Sequence, residues 1–213
     1  MTIAALLRRT LEEGDPAPLR VGYAVTLSGL DDLLRAECRG DPSLYSCLIW
    51  KGAAGYHFEN RHYLDGGYAF ILAGRGIARS TVRVYDLPIA VCGFVPNDHR
   101  QGLDIDQLQS LPMEPVSLDF QRCLSVAGSL LLRDMRWERF LLRAAISWAG
   151  THGLAEVRVR RASRNAYYHG NACISGFSER LRLRYDVTPR RLGFHQAGGR
   201  EWYHTLGLAP RNI

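Results

Sequence analysis

The chain has 213 residues, of which 46% are hydrophobic and 23% charged, with a formal net charge of +6. That length predicts one α/β domain over 1–213, with enough apolar content to bury a core without disulfide or metal staples. No stretch approaches the roughly 18–20 unbroken apolar residues that a membrane helix needs, and the five widely spread cysteines form no Cys-x-x-Cys pair, so the reading is of free thiols in a cytoplasmic protein with no membrane partner.

In chain order, Ile3–Glu13 has an apolar face and a charged face and predicts an amphipathic helix, not a signal peptide. The prolines at 16 and 18 break it. Arg20–Leu27 alternates as a strand, and Leu30–Cys38 has helical spacing until Gly40-Asp41-Pro42. The short apolar runs Tyr45–Trp50, Gly55–Phe58, Tyr68–Ala73, Ser80–Tyr85 and Ile89–Phe94 are separated by turn residues and predict antiparallel hairpins. Pro96–Pro115 reads as loop, with at most a short helix near Asp106–Leu111, and closes a β-rich first half over 1–115.

The second half, 116–213, opens with strand-like Val116–Phe120 and Cys123–Leu132. Trp137–Ala149 is the strongest helix: Phe140, Leu141, Ala144, Ala145 and Trp148 recur three and four apart, and Gly150 and Gly153 end it. Glu156–Val159 follows as a strand, and Leu181–Tyr185 alternates as another. Thr188-Pro189 starts a short helix, and Phe194–His204 supplies a final hairpin or strand. The fold class expected is a mixed, mostly antiparallel sheet with flanking helices, of the α+β kind.

Charge is unevenly placed. Residues 1–128 carry 12 basic and 15 acidic side chains; residues 129–213 carry 15 basic and 6 acidic. The imbalance points to an anionic partner for the second half, either a nucleic acid or a phosphorylated cofactor.

The segment LLRAAISWAGTHGLAEVRVRRASRN (141–165), followed by RRLGF (190–194), resembles the carboxy-terminal half of the GNAT superfamily of acyl-CoA N-acyltransferases. In that family a helix runs through a glycine turn into a strand, an asparagine follows, and a short helix ends in Leu-Gly-Phe. The resemblance implies a GNAT-like fold, acetyl-CoA or another acyl-CoA as cofactor, and either N-acyltransferase activity or a degenerate non-catalytic relative. It also implies a splay between the central strands, with room for a pantetheine arm beside helix 137–149. Arg133-Asp134-Met135-Arg136-Trp137-Glu138 falls where the family carries its pyrophosphate loop, whose glycines let backbone N–H groups meet the phosphates. Both glycines are absent here, and Asp134 and Glu138 add negative charge, so the contacts implied for coenzyme A come from Arg133, Arg136 and Asn165. For transfer chemistry the resemblance implies Tyr185 or Tyr168 as general acid and Asp119 as base.

The residues carry a second reading. If 156–160 and 181–185 are strands, Arg158 and Arg160 share one face, and Arg182 and Arg184 share another. With Arg164 and the nearby tyrosines they compose an Arg/Tyr surface suited to binding or processing RNA, since guanidinium forks grip phosphates and aromatic rings stack on bases. The seven histidines have no metal-ligand spacing, so no metal is expected, and no Walker, dinucleotide or Gly-x-Ser-x-Gly motif occurs.

Overall fold

The computed structural model describes residues 1–17, 23–52, 56–58, 62–64, 67–79, 84–110, 130–165, 177–197 and 201–206. The fold is α+β: helices flank an open, mostly antiparallel sheet of eight strands. Along the chain come α1 (Ile3–Glu13), β1 (Tyr23–Thr26), α2 (Asp31–Glu37), β2 (Tyr45–Lys51), a small separate hairpin of β3 (Tyr56–Phe58) and β4 (His62–Leu64), then β5 (Tyr68–Arg79), β6 (Val84–Asn97) and β7 (Gly102–Ser110). There follow α3 (Trp137–Thr151), β8 (Glu156–Arg160), α4 (Phe177–Arg182), a π-helical turn over Leu183–Val187, α5 (Thr188–Arg191), β9 (His195–Ala197) and β10 (Glu201–Thr205). The sheet order is β1-β2-β5-β6-β7-β8-β10-β9. Its one parallel pair is β7 with β8, joined through α3, because two parallel neighbours need a crossover rather than a tight turn.

The amphipathic reading of α1 holds: Ile3, Leu6, Leu7 and Leu11 are buried on one stripe. Its first turn is capped twice, by the Thr2 hydroxyl accepting from the Ala5 N–H at 3.2 Å and by the Asp98 carboxylate accepting from the Ile3 N–H at 2.6 Å. Helix α3 buries Trp137, Phe140, Leu141, Leu142, Ala144, Ala145, Trp148 and Ala149 against Phe70, Leu72, Cys92, Phe94 and Val157 of the sheet. It ends where Gly153 takes φ +68°, a left-handed conformation that glycine adopts without strain, and the Leu154 N–H returns to the Ala149 carbonyl. Helix α2 is tied across to α3 by Glu37, whose carboxylate is buried between Arg143 (2.8 Å) and Arg139 (3.2 Å). On the other face of the sheet Leu48, Trp50, Ala69, Ile71, Ala73 and Val91 form a second, smaller core.

Three expectations are corrected. Residues 102–110 are strand, not loop or helix. Leu103, Ile105 and Leu108 are buried, and the half-buried Asp104 and Asp106 give the segment a polar look that a packed strand does not ordinarily have. The end of the run predicted over 80–85 and the run over 89–94 merge, since Val84–Asn97 is one long strand; 80–83 lie outside the described residues. It keeps Pro88 inside because the register shifts there: Leu72 faces Ala90 while Ala73 faces Pro88, and the bulge spares a ladder bond that proline cannot make. Leu181–Tyr185 is helical. Leu181 and Tyr185, four apart, are both buried, whereas Leu183 is exposed, so the contact period is that of a helix and the Leu/Arg alternation misleads. The strand-like reading of Cys123–Leu132 meets described residues only at its end, where 130–134 are helical. Val116–Phe120, Asp119 and Tyr168 lie outside the described residues.

Candidate functional site: the parting of β7 and β8

Strands β7 and β8 pair only from Gly102↔Glu156 to Ile105↔Val159. β7 then continues along β6 as far as Ser110, while β8 turns at Arg160 into a short 3-10 turn over Ala162–Arg164. Among the described residues, the edge of β7 beyond Ile105 therefore has no strand beside it. At Leu108 the place of a strand partner is taken by a side chain. The Leu108 N–H donates to the Tyr185 hydroxyl oxygen at 2.6 Å, and the hydroxyl lies 3.4 Å from the Leu108 carbonyl. A strand N–H lies in the plane of the sheet, so the phenol sits in the gap between the parting strands.

Tyr185 is 2% exposed. Burial pushes its phenol up to about 12; the bond from Leu108 and the Arg184 charge pull it down, and Cys92 and Asp106 add to the rise. Its two chain neighbours are held in other directions. Arg184 reaches the Glu138 carboxylate (3.6 Å) and stacks over the Trp137 ring (5.0 Å), both at the start of α3. Asp186 accepts from the Trp202 indole N–H at 2.9 Å and from Arg161 at 3.4 Å. The π turn is itself braced, because the Leu183 carbonyl accepts both the Thr188 N–H and the Thr188 hydroxyl, the latter at 2.9 Å.

The start of α3 is not an open anion cradle. The Arg136 N–H donates to the Glu37 carbonyl at 3.0 Å, and Met135 bridges Cys38. Glu138 accepts from its own backbone N–H, so a carboxylate already lies at the positive end of the helix. Burial raises the Glu138 pKa, against that bond and the Arg184 charge. Arg133 and Arg136 are exposed; Arg133 lies 3.8 Å from Asp134. Asn165 closes the 3-10 turn, with its N–H on the Ala162 carbonyl.

The proposed arginine surface is divided. Arg158 is bound by Glu156 (2.6 Å) and Glu201 (3.1 Å) and lies 5.9 Å from the Tyr203 ring. The bond to Glu156 leads in raising its pKa, burial opposes it, and Glu201 adds to the rise. Arg182 pairs with Glu179 (2.6 Å), one turn away on the same helix, and holds that carboxyl below its usual range. With 181–185 helical, Arg182 and Arg184 share no strand face. Arg160, at the end of β8, and Arg164 are exposed.

The structure thus gathers Tyr185, Arg184, Glu138, Asp186, Arg161 and Trp202 around the strand parting. Leu108, Asp186 and Trp202 were missed from the sequence, where Glu138 is read only as negative charge at the start of the helix. The Leu-x-x-x-Tyr spacing of 181–185, read as a helical pair, is the signal that finds this site. Two cavities lie elsewhere. One of about 490 Å³ sits at the far end of α3, beside Arg9, Glu13, Ser147, Trp148 and His152. Another of about 200 Å³ lies between Arg35, Tyr45 and Arg75. Neither includes a candidate site residue read from the sequence. Among the described residues no group of three or more His, Cys, Asp or Glu is placed to hold a metal, and no helix is long and apolar enough to cross a membrane. Comparison of the chain with family models, with curated proteins and with solved structures finds no match.

Proposed function

We propose that the protein is a non-catalytic relative of the acyl-CoA N-acyltransferases, in which the gap between β7 and β8 is a binding site for an acyl-CoA-type chain rather than a centre of acyl transfer. The carrying observation is the Tyr185 hydroxyl, 2.6 Å from the Leu108 N–H in that gap. A strand edge without a neighbouring strand presents an N–H and a carbonyl to whatever extended, amide-bearing chain enters beside it. Support also comes from the element order, with a parallel pair crossed by α3, Leu192-Gly193-Phe194 after a short helix, and β10 lying between β8 and β9.

Transfer chemistry fits the gap poorly. A general acid works best with a pKa near the operating pH, and the buried Tyr185 phenol stands near 12. Glu138 sits where a pyrophosphate would need to approach the helix start.

Calorimetric titration with acetyl-CoA, beside an acetyl-transfer assay on a panel of amines, tests this reading. Tyr185→Ala is expected to bind acetyl-CoA more tightly than the unaltered protein, with no turnover in either. Turnover that disappears in Tyr185→Phe would overturn the non-catalytic reading. Absence of binding to Tyr185→Ala at millimolar acetyl-CoA would overturn the site. The exposed Arg160 and Arg164 favour nucleic-acid binding as a second reading. It predicts RNA affinity that falls steeply with salt and is lost in an Arg160→Glu, Arg164→Glu double variant.

A further inference from the structure

Three consecutive side chains of one widened helical turn are gripped by three different parts of the fold. Arg184 goes to Glu138 and Trp137 on α3. Tyr185 goes to Leu108 on β7. Asp186 goes to Trp202 on β10 and to Arg161 beside β8. An α-helix turns its side chains by about 100° per residue; a π turn carries an additional residue in the turn and changes that direction. π turns are uncommon and concentrate at functional sites, because their wider hydrogen-bond ring is less favourable than the α form. Here the π register is what delivers Tyr185 into the gap while its neighbours face α3 and β10.

We infer that Phe177–Arg191 is an autoinhibitory latch: its π turn holds the Tyr185 hydroxyl on the edge of β7 at Leu108, and the grip of Trp202 and Arg161 on Asp186 sets how often that contact opens. The inference rests on the binding site proposed above and adds its regulation. The hydroxyl gives Leu108 both a donor and an acceptor, the same pair that an entering amide would offer, so latch and ligand exclude one another. The apparent dissociation constant of any such ligand is then its intrinsic value divided by the open fraction. The Asp186 carboxylate is the pivotal group because it joins two partners on the β8–β10 side in one contact. Trp202 is anchored independently through its strand, opposite Val159 and Gln196, so the indole is a fixed post.

Two variants weaken the grip without touching the gap: Asp186→Asn, and Trp202→Phe, which keeps an aromatic ring on β10 but removes the N–H. Their effect is read as hydrogen exchange of the Leu108 amide and as affinity for acetyl-CoA. Loss of a hydrogen bond to a charged group is expected to raise the Leu108 exchange rate on the order of tenfold or more, with the acetyl-CoA dissociation constant falling by a matching factor. Tyr185→Ala gives the fully unlatched limit for both readings. If Leu108 exchanges no faster in either grip variant than in the unaltered protein, the latch is wrong, whatever acetyl-CoA does. If exchange rises as expected but neither grip variant nor Tyr185→Ala binds acetyl-CoA, the latch stands and the ligand class proposed for the site is what fails.

Discussion

Removing a single oxygen atom, by Tyr185→Phe, tests the strand-gap geometry through stability alone. The ring of Tyr185 is buried and a phenylalanine ring fits the same space, so the transfer free energy of the side chain changes little. What changes is the hydrogen bonding of Leu108. Its N–H, now 2.6 Å from the hydroxyl oxygen, is left buried beside a C–H edge. An unsatisfied buried donor costs about 1–3 kcal/mol, and the longer 3.4 Å contact to the Leu108 carbonyl adds little. Urea unfolding at neutral pH should show Tyr185→Phe less stable by that amount, with a lower midpoint and an unchanged slope.

The same pair of proteins carries a pH signature. The Tyr185 phenol stands near 12 in the fold against 10.0 unfolded. Below pH 10 both states are protonated and the group has no effect on the balance. Between 10 and 12 the unfolded chain ionises first and the folded state loses ground, by about 1.4 kcal/mol for each pH unit crossed. The unaltered protein should therefore lose more stability over that window than Tyr185→Phe, and the two curves should converge. A loss at neutral pH below about 0.5 kcal/mol, with parallel alkaline limbs, would refute the placement of the hydroxyl against Leu108, because a well-solvated phenol is expected to behave that way.

Two further outcomes test how the helices are fixed. Glu37→Ala removes the buried carboxylate that joins α2 to α3. Breaking a buried ion pair costs about 3–5 kcal/mol when a charge is stranded, but Arg139 and Arg143 are 40% and 43% exposed and regain water, so thermal unfolding should show a loss nearer ~2 kcal/mol. Arg143→Ala, which leaves Glu37 with Arg139 alone, should cost at least as much. Asp98→Ala deletes the carboxylate that caps the Ile3 N–H; stability to chemical denaturation should fall by about 1 kcal/mol, with Asp98→Asn recovering most of it.

Much of the scaffold was legible because its elements satisfy local and global demands together. Helix α3 combines a three-and-four apolar repeat with a glycine stop, and β2 and β5 are apolar runs buried in the middle of the sheet. The strand that went unread, β7, carries Asp104 and Asp106. The charge of Asp104 is tolerated because Asn97 on the neighbouring strand donates to its carboxylate at 2.7 Å, a tertiary contact with no trace in the pattern of β7 alone. The segment Leu181–Tyr185 failed in the opposite way. Its alternation of leucine and arginine fits a period of two as well as Leu181 and Tyr185 fit a period near four, and the choice is made by Leu108, 77 residues away along the chain.

That choice also alters the meaning of the arginines. Counted along the sequence, residues 129–213 hold nine more basic than acidic side chains, from 15 basic and 6 acidic. Counted in space, much of that charge is already answered. Glu138 meets Arg184, Asp186 meets Arg161, Glu179 meets Arg182, and Glu156 and Glu201 meet Arg158, while Glu37 draws Arg139 and Arg143 from the first half of the chain. These arginines build the packing of α3, the π turn and β10 around the strand parting. A guanidinium suits that work because its planar fork binds a carboxylate and its face lies flat on an indole, as Arg184 and Arg161 do over Trp137 and Trp202. Charge that holds the latch together is not available to an outside polyanion, and because the Arg161–Asp186 pair is partly buried, salt screens it less steeply than it screens an exposed arginine on a phosphate. Raising salt should speed Leu108 exchange in the unaltered protein and do so less in Asp186→Asn, whose ionic grip is already gone. Equal acceleration in both proteins would show that the Asp186 pair carries none of the salt dependence.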